Sequence, residues 1–411
     1  MMSQQNIGIV GLGYVGLPLA VASSKAGHRV YGVDTDKSKI QALEKGQSYI
    51  EDISSETLLS ITKSGLFSSG TSFLGISSCS IVIICVPTPL DSHNEPDLSL
   101  LASALKNIAP NLRAGTLVIS ESTSYPGTLR NFIKPLVLSE SNLGENEILF
   151  AVAPERVDPG NKSFNHQNTP RVVGALNEQA LILASAFYKT ITSQVVNVSQ
   201  PEVAEAAKML ENTFRQVNIA LINEFSKIAN TMKFDVHETI EAASTKPYGF
   251  MKFTPGPGVG GHCIPVDPYY LTWSSRESGF IPEFIEKANE VNRAMPEYVV
   301  DRFKKITSEK MHDSKVLVAG MAYKPGIADL RESPAIHIFE KLKDEGCSPE
   351  WYDPIVENFS EFPRGSLESN FSGVIITLPG LNLPIQEWLK TGTKILDCTG
   401  QYRNFKEIEQ L

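Results

Sequence analysis

Asn6-Ile7-Gly8-Ile9-Val10-Gly11-Leu12-Gly13-Tyr14-Val15-Gly16 decides the fold of this chain. An apolar strand runs into Gly-x-Gly-x-x-Gly. A helical pattern rich in Ala and Leu then continues to about Ala26. Arg29-Val30-Tyr31-Gly32-Val33 reads as a second strand and ends at Asp34. Strand, glycine turn, helix, strand and acid, in that order, form the dinucleotide-binding unit of a Rossmann fold. Gly11 makes the turn, Gly13 lets a pyrophosphate approach, and Gly16 lets helix pack on strand. The helix start then faces the phosphates. Asp34 is placed to accept from ribose hydroxyls and to repel a 2′-phosphate, which favours NAD over NADP.

The strand–helix alternation continues outward from that unit. Ile81–Val86, Leu117–Ser120 and Ile148–Val152 are short continuous apolar runs, as buried parallel strands require. Each leads into a polar loop: Pro87-Thr88-Pro89, Glu121 to Thr128 with Thr123, and Pro154-Glu155-Arg156-Val157. Open α/β sheets bind ligands at these carboxyl ends. Thr88 and Thr123 are therefore candidate cofactor contacts, although such hydroxyls equally often satisfy their own turns. Val195–Val198 reads as the last strand of a first domain ending near residue 200.

From Pro201 the period becomes helical and holds to about Met232 without Gly or further Pro. Lys208, Asn212 and Arg215 fall on one face of it, either a solvated stripe or the floor of a site. A second long helical pattern runs from Ile281 to about Glu309, with Pro296 a kink or break. After residue 313 the α/β alternation returns, without a second Gly-x-Gly-x-x-Gly. The fold expected is α/β: two Rossmann-like, doubly wound domains (1–200 and 311–411) joined by a central helical segment (201–310).

Bulk composition excludes several classes. A net charge of −9 argues against nucleic acid or an anionic membrane as partner. Five cysteines with no C-x-x-C spacing fit a reducing, cytoplasmic setting without a disulfide framework. No HExxH or Cys/His cluster suggests a metal. No signal peptide or membrane span is read.

The remaining unusual stretch is Pro255-Gly256-Pro257-Gly258-Val259-Gly260-Gly261-His262-Cys263-Ile264-Pro265-Val266-Asp267. It presents one cysteine from a loop lined by backbone. If a helix begins there, Asp267 lies near the sulfur and the thiolate is favoured. A buried, inert cysteine is the bland reading. Beside a dinucleotide domain, a nucleophilic thiolate implies covalent capture of an aldehyde, loss of hydride to a thioester, and hydrolysis to an acid. Lys208 and Asn212 suit an oxyanion or proton transfer, and Asp267 or Glu155 the activation of water.

These residues resemble the UDP-glucose/GDP-mannose dehydrogenase family along nearly the whole chain. The matching stretches are Gly11–Pro18, Val86–Pro89, Pro154–Arg156, Lys208-x-x-Glu211-Asn212, Gly258-x-Gly260-Gly261-His262-Cys263, Tyr323-Lys324-Pro325 and Arg331–Pro334. The resemblance implies oxidation of a nucleotide-sugar C6 hydroxyl to a uronate with two NAD⁺. It implies Cys263 as nucleophile, Lys208 as proton carrier and oxyanion partner, Asn212 and Asp267 as orienters of water, and Glu155 close by. Gly11, Gly13, Tyr14, Val15, Gly16, Asp34, Thr88, Thr123 and Arg331 would serve NAD. Arg156, Val157, Lys208, Asn212, Arg215, Gly260, Tyr323 and Lys324 would hold a UDP-sugar, with Arg156 and Lys324 suited to its diphosphate.

Ala242–Phe250, Pro268–Trp273 and Asn289–Pro296 are most similar to the branch that oxidises UDP-N-acetyl-D-glucosamine. The His-x-Arg pair common in the mannosamine branch is missing before the loop. UDP-glucose and UDP-N-acetyl-D-mannosamine remain the alternative substrates. A non-catalytic NAD-responsive binder and a two-electron dehydrogenase of the 6-phosphogluconate type are the alternatives of other classes. The family also implies a homodimer or higher homo-oligomer in a polysaccharide pathway.

Overall fold

Both faces of the first sheet are covered, so its central strands are buried at every position and, but for Ser120, apolar. Ile81, Ile83, Leu117, Ile119, Leu149 and Ala151 point into one core. Their neighbours Val82, Ile84, Val118, Phe150 and Val152 point into the other. Period-two alternation is therefore invisible in the sequence, and only the short length of the runs marks them as strands.

The computed structural model describes residues 3–50, 53–157, 163–261, 263–308, 311–357, 359 and 362–411. The chain divides into two units, Met1–Glu211 with Tyr269–Ser278, and Asn212–Pro268 with Gly279–Leu411. The first unit holds eight strands: β1 (Asn6–Val10), β2 (Arg29–Val33), β3 (Phe67–Gly70), β4 (Ile81–Ile84), β5 (Leu117–Ser120), β6 (Leu149–Val152), β7 (Arg171–Ala175) and β8 (Val195–Asn197). Their order is β3-β2-β1-β4-β5-β6-β7-β8. The order reverses between β1 and β4, the switch point at which such sheets open a crevice. All pairs are parallel except β6 with β7, where Val152 faces Gly174 and Ala151 faces Ala175. β3 and β7 carried no clear signal in the sequence.

The second unit holds β9 (Lys315–Ala319), β10 (Ser348–Tyr352), β11 (Gly373–Ile376), β12 (Lys394–Asp397) and β13 (Glu409–Gln410), in the order β10-β9-β11-β12-β13. All four pairings are parallel. The tail beyond residue 400, unreadable in the sequence, completes this sheet: Leu411 N donates to Asp397 O at 3.1 Å.

The long helical pattern is one helix, Pro201–Met232, of 32 residues. The second pattern breaks into Glu283–Arg293 and Met295–Ile306. Pro296 stands in the first turn of the latter, where its missing N–H has no intrahelical partner to lose. The end expected near Glu309 lies outside the described residues. Among the described residues, no helix is long and apolar enough to cross a membrane.

Candidate active site

In the first unit, Gly11 has φ +91°, and a Cβ there would lie 2.7 Å from Cys85 O. A Cβ on Gly16 would lie 1.8 Å from Gly11 O. Both positions therefore exclude any side chain. Above Gly13 nothing stands within 4 Å, which leaves the middle of the turn open to a ligand's phosphates. The helix Gly16–Lys25 starts at this turn. Asp34, at the end of β2, accepts from Leu12 N at 2.8 Å and Asp36 N at 2.9 Å, and Lys39 Nζ stands 3.3 Å away. Tyr49 OH closes the turn on Leu12 O at 2.6 Å. Open space over the second glycine, with a carboxylate fixed beside it, fits a dinucleotide. Tyr14 is exposed, Val15 stands at the helix start without a side-chain capping bond, and Thr88 is buried.

A buried charge cluster joins the ends of β5 and β6. Because β7 runs against β6, its first residue, Arg171, comes to the carboxyl end of the sheet. Its Nη2 donates to Glu155 Oε2 at 2.9 Å, and its Nη1 to Glu121 Oε2 at 3.3 Å. Tyr188 OH donates to Glu121 Oε1 at 2.5 Å. Glu155 Oε1 accepts from the amides of Arg156 (2.6 Å) and Val157 (2.8 Å). Burial works to raise the pKa of Glu155, but Arg171, then His166 and the Val157 amide, outweigh it and hold it at about 2. Burial dominates at Glu121, which is pushed up to about 7 despite Arg171. One guanidinium thus keeps one carboxylate ionised and leaves the other poised near neutrality.

Lys208, on the long helix, is buried and donates to Thr123 Oγ1 at 2.5 Å. One turn earlier, Glu205 accepts from Gly127 N (2.6 Å) and Leu129 N (2.9 Å), which docks the loop carrying Thr123 onto this helix. Burial pushes the Glu205 carboxyl up to about 7. Arg156 is paired with Glu211 through Nε (3.1 Å) and Nη2 (2.6 Å), and it also donates to Pro170 O at 2.9 Å.

In the second unit, Cys263 is exposed, and its carbonyl accepts from Asp267 N at 2.8 Å and Val266 N at 3.1 Å. This turn leads directly into the helix Asp267–Glu277, as the loop's sequence suggested. Asp267 is buried, and its Oδ2 accepts from Asn212 Nδ2 at 2.5 Å. The last two glycines before the cysteine are packed without slack. A Cβ on Gly260 would lie 2.7 Å from Tyr323 Cβ, and one on Gly261 2.7 Å from the Tyr323 ring. Gly261 N donates to Arg331 O at 2.9 Å, while the Arg331 side chain turns to Asp329. Lys324 is half-buried beside Tyr323. Arg215 is exposed and stands outside the Asn212–Asp267 pair. His262 lies outside the described residues.

Within each unit, then, the structure joins Lys208 to Thr123, Glu155 to the Arg156–Val157 backbone, Asn212 to Asp267, Asp267 to the Cys263 carbonyl, and Gly260 to Tyr323. Sequence reasoning missed Arg171, Glu121, Tyr188 and Glu205, whose partners are remote in the chain. Glu211 as the partner of Arg156 was missed for the same reason. Asn223 and Asn292 were also missed. A signal for Asn223 existed: the polar stripe through Asn212 continues at Gln216 and Asn223, on a face otherwise apolar.

Comparison with known proteins gives the family. The UDP-glucose/GDP-mannose dehydrogenase family matches in three domain models: its NAD-binding domain over residues 5–192, its central domain over 202–294, and its UDP-binding domain over 317–372. The chain belongs to this family. It is an NAD-dependent UDP-sugar dehydrogenase. A UDP-N-acetyl-D-glucosamine 6-dehydrogenase of Pseudomonas aeruginosa is 37% identical over 86% of this chain and 84% of its own. A UDP-N-acetyl-D-mannosamine dehydrogenase of Methanocaldococcus jannaschii is 36% identical over 90% of this chain and 84% of its own. The solved structure of a UDP-D-ManNAc dehydrogenase from Pyrococcus horikoshii superposes with a TM-score of 0.88 at 31% identity, covering 98% of this chain and 97% of that one.

Proposed function

We propose that this enzyme oxidises the C6 hydroxyl of UDP-N-acetyl-D-glucosamine to the uronate through a covalent adduct at Cys263. The observation that carries the chemistry is Cys263 exposed at a turn into the helix led by the buried Asp267, itself bonded to Asn212. The first curated relative named above and the missing His-x-Arg pair support the glucosamine substrate. UDP-N-acetyl-D-mannosamine is the second reading, favoured by relatives of nearly equal identity.

NAD⁺, when bound at the Gly11–Gly16 turn, accepts a hydride, and two molecules in succession take the four electrons. Tyr14, Val15, Asp34, Thr88, Thr123 and Arg331 are proposed to hold it. Lys208 takes the proton of the C6 hydroxyl as that carbon becomes a carbonyl. The Cys263 thiolate adds to this carbon, forming a C–S bond. The alkoxide of the thiohemiacetal is held by Lys208 and Asn212. Loss of a second hydride from the same carbon leaves a thioester. Asp267 takes a proton from the water that attacks it, the C–S bond breaks, and the acid and the thiolate separate. Glu155, saturated by donors and held at about 2, serves in our reading to shape the Arg156–Val157 loop.

Residues 1–200 are proposed as the cofactor domain, 201–310 as the central segment and 311–411 as the sugar-nucleotide domain. Arg156, Val157, Arg215, Gly260, Tyr323 and Lys324 serve the substrate. For Arg156 this requires exchange of Glu211 for phosphate. Phe214, Leu221, Ile228 and Met232 form an exposed apolar row at helical spacing, which supports a homodimer. A monomeric mass in sedimentation would refute it.

The test is NADH yield per sugar across UDP-glucose, UDP-N-acetyl-D-glucosamine, UDP-N-acetyl-D-galactosamine and UDP-N-acetyl-D-mannosamine. The reading expects two NADH per UDP-N-acetyl-D-glucosamine, the best substrate of the four, and no acid from Cys263→Ser. One NADH with an aldehyde product overturns the mechanism. Turnover of another sugar alone overturns the substrate.

A further inference from the structure

We propose that Asn223 is a positioning residue that fixes the entry of the Cys263 loop through the Gly256 amide; the proposal rests on Cys263 being the nucleophile. Asn223 is fully buried on the long helix. Its Oδ1 accepts from Gly256 N at 2.9 Å. Its Nδ2 donates to Asn292 Oδ1 at 2.9 Å, and Asn292 Nδ2 donates to Gln216 O at 3.0 Å.

The direction of this chain is forced. A backbone carbonyl only accepts, so Asn292 must present its NH₂ to Gln216 O and its oxygen to Asn223. Asn223 must then present its NH₂ to Asn292 and its oxygen to the loop. Two helices, Pro201–Met232 and Glu283–Arg293, thus aim one acceptor at one amide. Neither side chain can rotate without leaving a buried polar group unpaired, which is the costly outcome.

A Cβ on Gly256 itself would meet nothing within 4 Å, but the loop beyond it has little room. Its exit is held where Gly261 N donates to Arg331 O at 2.9 Å. Between the two ends, a Cβ on Gly258 would lie 3.2 Å from Pro334 and 3.4 Å from Asn292 O. A Cβ on Gly260 would lie 2.8 Å from Glu332 O. In this reading a shift released at Gly256 meets the packed positions Gly258 and Gly260 on its way toward Cys263. Among the described residues of this unit, no other hydrogen bond ties the loop's entry to the long helix.

The experiment compares Asn223→Ala and Asn292→Ala with the wild-type enzyme. In Asn223→Ala the Gly256 amide loses its acceptor; in Asn292→Ala that bond survives. For Asn223→Ala, kcat for acid formation should fall about tenfold to a hundredfold, with the KM for NAD⁺ within about twofold of wild type. Amide exchange over residues 253–261 should quicken at a temperature where the rest of the protein keeps its protection. Asn292→Ala should show a smaller loss in both. If Asn223→Ala does not fold, Asn223→Ser replaces it, since its hydroxyl sits one bond nearer the helix and cannot keep both contacts. A kcat within about twofold of wild type, or exchange that quickens everywhere alike, overturns the proposal. Two NADH per sugar from wild type and inactivity of Cys263→Ser would persist in that case, so the catalytic reading fails separately.

Discussion

Two regions carry the candidate chemistry, and they are held by opposite means. At the ends of β5 and β6, the buried Arg171 guanidinium sits between Glu121 and Glu155 and ties both loops to the sheet. Before Cys263, the loop is held by neutral amides, Asn223 and Asn292, and by glycines pressed against Tyr323. A charge cluster is directional and strong, but each member depends on the others to offset its desolvation. A ladder of amides also leaves a buried group unpaired when one member is lost, but it carries no charge and does not titrate. The first arrangement makes the strand-end loops sensitive to pH and to loss of one partner. The second holds the entry of the Cys263 loop by groups whose charge does not change with pH.

The sharpest way to break this contrast is Arg171→Met. It leaves Glu155 as a buried anion whose remaining partners are chiefly amides. Unfolding free energy, measured by denaturant titration, should fall by about 3–5 kcal/mol, the usual cost of removing one partner of a buried pair. A loss no larger than that of an exposed ion pair would show that the cluster is not what holds these loops.

A smaller effect is expected from pH. The Glu121 carboxyl is raised from 4.5 to about 7, so its contribution to stability is fully present below 4.5 and fades as pH rises through 7. Glu205 is shifted in the same sense. Glu155 is lowered from 4.5 to about 2, so its contribution is present above 4.5 and fades as pH falls toward 2. Glu121→Gln should therefore flatten part of the decline in melting temperature between 4.5 and 7, leaving the share due to Glu205. An unchanged slope would remove Glu121 from the account.

The smallest effect separates the two regions most cleanly. The kcat deficit of Asn223→Ala should be the same at both ends of that pH window, because Asn223, Asn292 and Gln216 carry no titrating group. A deficit that appears only at one end would place the Cys263 loop under the same electrostatic control as the strand ends.

Much of this was legible beforehand for a physical reason. The β1 turn is a local code: Gly11 and Gly16 are glycines because the backbone itself fills the space a side chain would need. The helix from Pro201 and the break at Pro296 follow from single residues and their missing N–H groups. Asp267 beside Cys263 follows from a separation of four residues and a helix start. Arg171 was not legible, because it matters only once β7 turns against β6 and brings it beside residues 16 and 50 positions away.

Residue type and spacing were enough for the cofactor unit, the alternation of strands and helices, the long helix with its Lys208–Asn212 face, and the cysteine loop. All of these rest on interactions within a few residues. Only the tertiary structure decided which carboxylate stays ionised, which lysine meets which hydroxyl, and which asparagine holds the loop. Those outcomes depend on burial and on the direction of hydrogen bonds between groups distant in the chain, and neither is written in the order of the residues alone.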